Sequence, residues 1–155
     1  MKILLSVLLL TSFLSPPSYF IKGKGFEGYS FSSDHLVFID IKGQRYRPDE
    51  RDINAAERLL KGNLKTINIP LINQGGKGCP AIHKNLKKYI RQYVGIINEN
   101  NDKVLWINSV WKSGADKKRL SEDIETVLDG CSHYWNIKVN IDKKVVYDLR
   151  VNGEA

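Results

Sequence analysis

Signatures of metal and nucleotide sites are missing from this sequence of 155 residues. Its three histidines, His35, His83 and His133, fall in no HExxH or other ligand spacing, and its two cysteines form no CxxC. The familiar zinc sites are therefore excluded. The GGKG of the 73–78 loop has neither the P-loop spacing nor a following Ser or Thr, so it is not read as a phosphate cradle. No cofactor is expected. The apolar run near the start, Ile3 to Leu14, has only 12 residues, too short to span a bilayer comfortably. No cysteine follows it, which argues against a bacterial lipid anchor there. There is no internal repeat and no composition break to mark a second domain.

What is present at the N-terminus reads as an export signal over residues 1–18. Lys2 is a short basic start, 3–14 is apolar, and Ser15-Pro16-Pro17-Ser18 is a breaking region. A core helix is the competing reading, and the prolines leave the cleavage point open. Residues 19–155 then form one α+β domain, periplasmic or secreted, with no transmembrane segment once the signal is removed. In an exported chain Cys79 and Cys131 are the only cysteines able to pair. A bridge would close a loop of about 50 residues, worth about 4 kcal/mol on the chain-entropy model. Two buried free thiols are the alternative.

Hydrophobic periodicity orders the rest. Residues 19–33, rich in Gly, Ser and aromatics, read as a mobile arm or the lead-in to a strand. Leu36 to Ile41 reads as a short strand, with Gln44 to Arg47 returning beside it. A helix opens at Pro48 with Asp49, Glu50 and Asp52 at its positive end. It buries Ile53, Ala56, Leu59 and Leu60 and stops at Gly62. Residues 65–71 read as an edge strand interrupted by Pro70. A second helix from Pro80 to about Lys88 passes into a strand through Val94 and Ile97. Lys103 to Trp111, apolar on both faces, reads as a central strand. A third helix carries Leu120, Ile124, Val127 and Leu128 and closes at Gly130.

The C-terminal stretch organises the chain. His133, Trp135, Ile137, Val139 and Ile141 alternate with polar residues, and after Asp142-Lys143-Lys144 the alternation resumes through Val145, Tyr147, Leu149 and Val151. That is a hairpin. A three-residue loop pairs Ile141 with Val145 and Trp135 with Val151 and sets Lys138 opposite Asp148. A one-residue slip would put apolar residues opposite polar ones. An isolated hairpin is marginal in water. The expected fold is therefore an antiparallel sheet built from two C-terminal hairpins, with two or three helices on one face. A cystatin-like curved sheet is one such arrangement.

Candidate surfaces follow from this layout. Asn136, Lys138, Asp148, Arg150 and Asn152 share the polar face of the hairpin, either as a wet sheet face or as a recognition surface. Lys84, Lys87, Lys88 and Arg91 hold helical spacing, and with Lys117, Lys118 and Arg119 they underlie the net charge of +7. Such patches attract polyanions, though a solvated helix face looks the same in sequence. Tyr89, Tyr93 and Trp111 have core periodicity, which argues against base stacking and so against nucleic acid. Cys79 and His83, four apart, could make a thiol–imidazole pair, and Glu27, Asp34, Asp40 and Asp129 could supply an acid pair. For the thiol–imidazole and acid pairs, structural or solvated roles are the favoured reading.

Three segments carry a resemblance: RYRPDERDINAAERLL, CPAIHKNLKKYIRQYVGIINENNDKVLWIN and DGCSHYWNIKVNIDKKVVYDLRVNGEA. Together they resemble a group of small, exported, uncharacterised proteins of Bacteroidota, over Arg45 to Ala155. The resemblance implies export and a one-domain α+β fold, and it brings no catalytic residues. The expected function is a non-enzymatic binding or inhibitor-like module acting on an envelope or extracellular protein. The alternatives are a hydrolase or a binder of anionic envelope glycolipid through the basic residues.

Overall fold

A seven-stranded, mostly antiparallel sheet carries the fold in this computed structural model, which describes residues 16–40, 42–76 and 78–153. The expected export signal lies outside the described residues up to residue 15. The strands are β1 (Ser18–Gly23), β2 (Phe26–Phe31), β3 (Gln44–Tyr46), β4 (Tyr89–Ile97), β5 (Lys103–Trp111), β6 (Tyr134–Asn140) and β7 (Val145–Val151). Their order is β1-β2-β4-β5-β6-β7, and β3 pairs with the far end of β4. Only the β2–β4 contact is parallel. Among the described residues the two α-helices are α1 (Glu50–Ile67) and α2 (Lys117–Glu122). No helix among the described residues is long and apolar enough to cross a membrane.

The α+β class and the two C-terminal hairpins, β4–β5 and β6–β7, are as the periodicity implies. β5 is central, hydrogen-bonded to β4 and β6 on its two sides, which is why it is apolar on both faces. Alternation along β4 splits the core in two. Tyr89 and Tyr93 face one cluster with Ile53, Ala56, Leu60 and Leu64 of α1. Ile90, Val94 and Ile96 face the other, with Leu120 of α2. The two helices thus cover opposite faces of the sheet.

Several elements differ from expectation. The segment expected as an arm is a β-hairpin: β1 and β2 pair throughout, around a Lys24–Gly25 turn with Gly25 at φ +92°. Leu36 to Asp40 forms no strand, and β3 pairs with β4 instead. α1 runs past Gly62 because Leu64 continues the 53–56–60 stripe into the core. The strand expected at 65–71 is therefore the end of this helix and the turns after it. α1 begins at Glu50 and not at Pro48, and Asp49 caps it, with Oδ1 accepting from Asp52 N at 2.8 Å. The helix expected after Pro80 is two 3-10 turns, Ile82–Lys84 and Leu86–Lys88, and the strand does begin at Tyr89. α2 ends at Glu122, and Leu128 is exposed rather than buried.

The last hairpin has two phases. Asn140 pairs with Val145 around a turn at 141–144 in which Lys144 takes φ +57°. In that register Val146, not Val145 or Tyr147, points into the core. Continued unchanged, it would drive Asp148 and Arg150 inward. A bulge at Asp148–Leu149, with Asp148 at φ +53°, resets the strand so that Trp135 pairs with Val151. Cys79 and Cys131 form a disulfide with Cα atoms 5.9 Å apart, joining the loop after α1 to the approach to β6.

Candidate functional site

Two concave surfaces lie on opposite faces of the sheet. The first is a cleft of about 710 Å³ on the α2 face. Its floor holds Trp106 and Asn108 of β5 and Tyr134 and Asn136 of β6, and the end of β7 adds Arg150 and Asn152. Its walls are the irregular segments 34–40 and 123–127.

Side chains fasten both walls to the sheet. The amide of Gln92 donates to the carbonyls of Leu120 at 2.9 Å and Asp123 at 2.7 Å, and accepts from Glu125 N at 2.9 Å. Asn108 Nδ2 donates to Glu125 O at 2.9 Å and to Gln92 Oε1 at 3.0 Å. This capture explains why the expected third helix stops at Glu122: the backbone beyond it is bonded to side chains of the sheet. On the other wall, Arg45 donates to the carbonyls of Ser32 at 3.1 Å and His35 at 3.2 Å, and Lys138 Nζ donates to Asp40 O at 3.1 Å. His35 Nε2 and Asp123 Oδ1, 3.1 Å apart, tie wall to wall. Leu36 and Phe38 stand on the lip, 72% and 92% exposed.

Three of the five polar hairpin residues, Asn136, Arg150 and Asn152, line this cleft. Lys138 Nζ and Asp148 Oδ2 lie beside it, 2.7 Å apart. The Lys138 hydrogen bond and the Arg150 guanidinium hold the Asp148 carboxyl below its ordinary range. Of the acids, Asp34 and Asp40 line the cleft, while Glu27 pairs with Lys112 at 3.1 Å on another part of the sheet. Ser32 turns its hydroxyl to Asp34 rather than to His35.

The second surface is a groove of about 880 Å³ on the α1 face. Arg58, Lys61 and Lys65 form one wall, from successive turns of α1. Lys84, Lys87 and Lys88 of the 3-10 turns form the other, and Lys24 of the β1–β2 turn closes one end. Phe26, Leu64 and Leu86 underlie it. Four of these cations escaped notice in the sequence because they come from two elements remote in the chain. Arg91 is the reverse case: helical spacing with Lys84, Lys87 and Lys88 implies a surface cation, but it is fully buried. It sits on β4, not on a helix, so its side chain faces α1. Its Nε contacts Glu57 Oε1 at 3.3 Å, and Tyr93 OH donates to the same oxygen at 2.9 Å. Burial and the Glu57 charge push the Tyr93 hydroxyl well above its ordinary pKa. Lys117, Lys118 and Arg119 lie on α2, away from the groove.

The thiol–imidazole reading is ruled out, since Cys79 is bonded to Cys131. His83 Nδ1 is instead 3.1 Å from Asn68 Nδ2, in a network with buried Gln74 that fixes the loop after α1. His133 packs edge-on against Trp111 at 5.0 Å. Among the described residues no group of three His, Cys, Asp or Glu side chains is placed to hold a metal ion. No family model matches the chain, and neither a curated protein nor a solved structure matches it.

Proposed function

We propose that the protein is an exported, non-enzymatic binding module that receives a polypeptide segment in the cleft on the α2 face. The observation that carries this reading is Phe38. A phenyl ring 92% exposed, on a wall tied to the sheet beneath, is a ready-made anchor for a partner. Loops held by a rigid scaffold are the usual place for recognition. The walls carry Asp34, Asp40, Asp123 and Glu125 against His35, and β7 adds Arg150, so the fitting segment is one with an apolar side chain and a basic group. The disulfide supports maturation outside a reducing cytoplasm. The hydroxyl of Ser32 donates to Asp34 and not to the His35–Asp123 pair, which supports binding over a serine-type hydrolysis at this place.

The test is affinity capture from envelope extract and culture fluid, comparing the protein with its Leu36→Ser/Phe38→Ser variant. One stoichiometric polypeptide that the variant fails to retain is expected. Capture that ignores the two substitutions, or no capture at all, rejects the reading.

A further inference from the structure

We infer that the groove on the α1 face is a second binding site, for a linear anionic chain bearing several sulfate or phosphate groups. Clustering of unpaired cations makes the groove distinctive: among the described residues Lys22, Lys42, Lys117 and Lys144 are also exposed and in no ion pair, but they lie on separate elements. Lys103, Lys112, Lys138 and Lys143 each lie within about 3 Å of an Asp or Glu oxygen, as do Arg119 and Arg150. Among the described residues none of the seven groove cations forms such a pair, and all seven are exposed. The single carboxylate in the lining is Glu57, and it is engaged from below. Arg91 and Tyr93 both bond its Oε1, so the buried guanidinium cancels the one charge that would repel an anion. A solvated helix face has no need of that arrangement.

Shape selects the ligand. Arg58 and Lys65 are seven residues apart on α1, about 10 Å along the axis at about 1.5 Å per residue. The second row of cations faces them across a concavity, so a chain lying lengthwise meets positive charge on both sides. A flat bilayer would reach only the rim. Six of the seven cations are lysines, compact charges on flexible stems that read charge density rather than the planar geometry an arginine fork selects. Phe26, Leu64 and Leu86 share the lining, an apolar surface of the kind lysine stems cover. Single-stranded nucleic acid would want exposed aromatic rings, whereas Phe26 is only 7% exposed.

The experiment uses the full chain and two soluble probes, a sulfated heparin oligosaccharide and sodium polyphosphate, titrated at several salt concentrations. Binding should weaken with salt, with a log–log slope near −0.7 for each cation engaged, as for a single strand, and so about −3 for four. Reversal of Lys61, Lys65 and Lys87 to Glu should weaken binding at least about thirty-fold, the effect of losing three charge contacts worth about three-fold each. The control variant reverses Lys42, Lys117 and Lys144, which changes net charge equally but lies outside the groove, and it should lose less than about three-fold. Thermal melts of both variants should match the parent, since every substituted side chain is solvent-exposed. Equal losses in the two variants would show that net charge alone binds, which overturns the site. Capture on phosphatidylglycerol vesicles without binding to either soluble chain, or tighter binding to single-stranded DNA than to both, overturns the assigned ligand.

Discussion

Arg91 Nε lies 3.3 Å from Glu57 Oε1, and the arginine side chain is fully buried while the glutamate is nearly so. The guanidinium also sits 5.5 Å from the Trp135 ring and 5.8 Å from that of Tyr89. An ion pair in such a place adds little net stability, but breaking it leaves a buried charge without a partner. Arg91→Met should therefore cost about 3–5 kcal/mol in urea denaturation, and Arg91→Met/Glu57→Leu should recover most of it. The single variant should also weaken anion binding in the groove, because the Glu57 charge is then uncompensated. Full affinity in a folded Arg91→Met protein would separate the pair from the groove.

The disulfide anchors the groove's second wall. Cys79 lies just before the 3-10 turns that carry Lys84, Lys87 and Lys88, and such turns have few internal bonds to hold them in place. The Cys79→Ser/Cys131→Ser protein should lose about 4 kcal/mol by the loop-entropy estimate for a closure of about 50 residues. Its backbone exchange should rise most between residues 68 and 88. Uniform loosening of the whole sheet would instead assign the bridge a purely global role.

Gly62 is an interior residue of α1 in the structure. A Cβ built on it meets nothing within 4 Å. Gly62→Ala should then stabilise the protein by about 0.5–1 kcal/mol, by restricting the unfolded chain and favouring helix. A loss of stability on chemical denaturation would mean that α1 ends before Gly62 in solution.

Gly62 also shows where sequence reasoning stopped short. Local signals identified the strands with continuous apolar runs, β4 and β5, the alternating strand β6 and the approximate start of α1. They failed where a distant partner decides the structure. The helix stop at Gly62 was overridden by Leu64, whose core contacts outweigh a glycine's local penalty. The third helix was cut short by the amides of Gln92 and Asn108, which are remote in sequence. Residues 18–31 look irregular alone and form a hairpin because β4 gives their edge a partner. The same limit applies to the sites. The polar hairpin face could be read from alternation, but not the 34–40 and 123–127 walls that turn it into a cleft. The groove was legible only in part, since its α1 and turn cations meet solely through tertiary packing, and Arg91 was misassigned because strand and helix place it on opposite sides of the surface.

The cleft wall offers a direct check of the amide capture. Gln92 is fully buried and holds Leu120, Asp123 and Glu125 by their backbones. Gln92→Leu preserves volume but leaves those groups without their partner, at about 1–3 kcal/mol for each buried group left unsatisfied. Amide exchange should accelerate in residues 120–127 while β4 and β5 stay protected. If the partner proposed for the cleft is captured as well by this variant as by the parent, the ordered wall is not part of its recognition.

The bulge in β7 predicts a pH dependence with a definite sign. Asp148 holds a left-handed backbone, φ +53°, and its carboxylate accepts from Lys138 at 2.7 Å and from Arg150 at 3.0 Å. These partners lower its folded pKa from the ordinary 3.8. A carboxylate with a depressed folded pKa adds stability that is fully present above its unfolded value and disappears as pH falls through the folded value. Asp148→Asn tolerates the same backbone, because Asn adopts the left-handed region more readily than most residues, so it removes the charge and little else. The variant should melt lower than the parent at neutral pH, by an amount equivalent to about 1 kcal/mol for this partly buried pair. The two melting curves should converge as pH drops below the ordinary carboxylate range. Glu27 and Asp102 are also held low by their lysine and amide partners and contribute acid sensitivity to both proteins alike, so they cancel in the comparison. Asp148→Gly provides the complementary arm: it relieves the φ +53° backbone but also loses the ion pair, so its acid dependence should follow that of Asp148→Asn. A gap between parent and Asn variant that stays constant down to the acid limit would place the stabilisation in packing at the bulge and not in the Lys138–Asp148 charge pair.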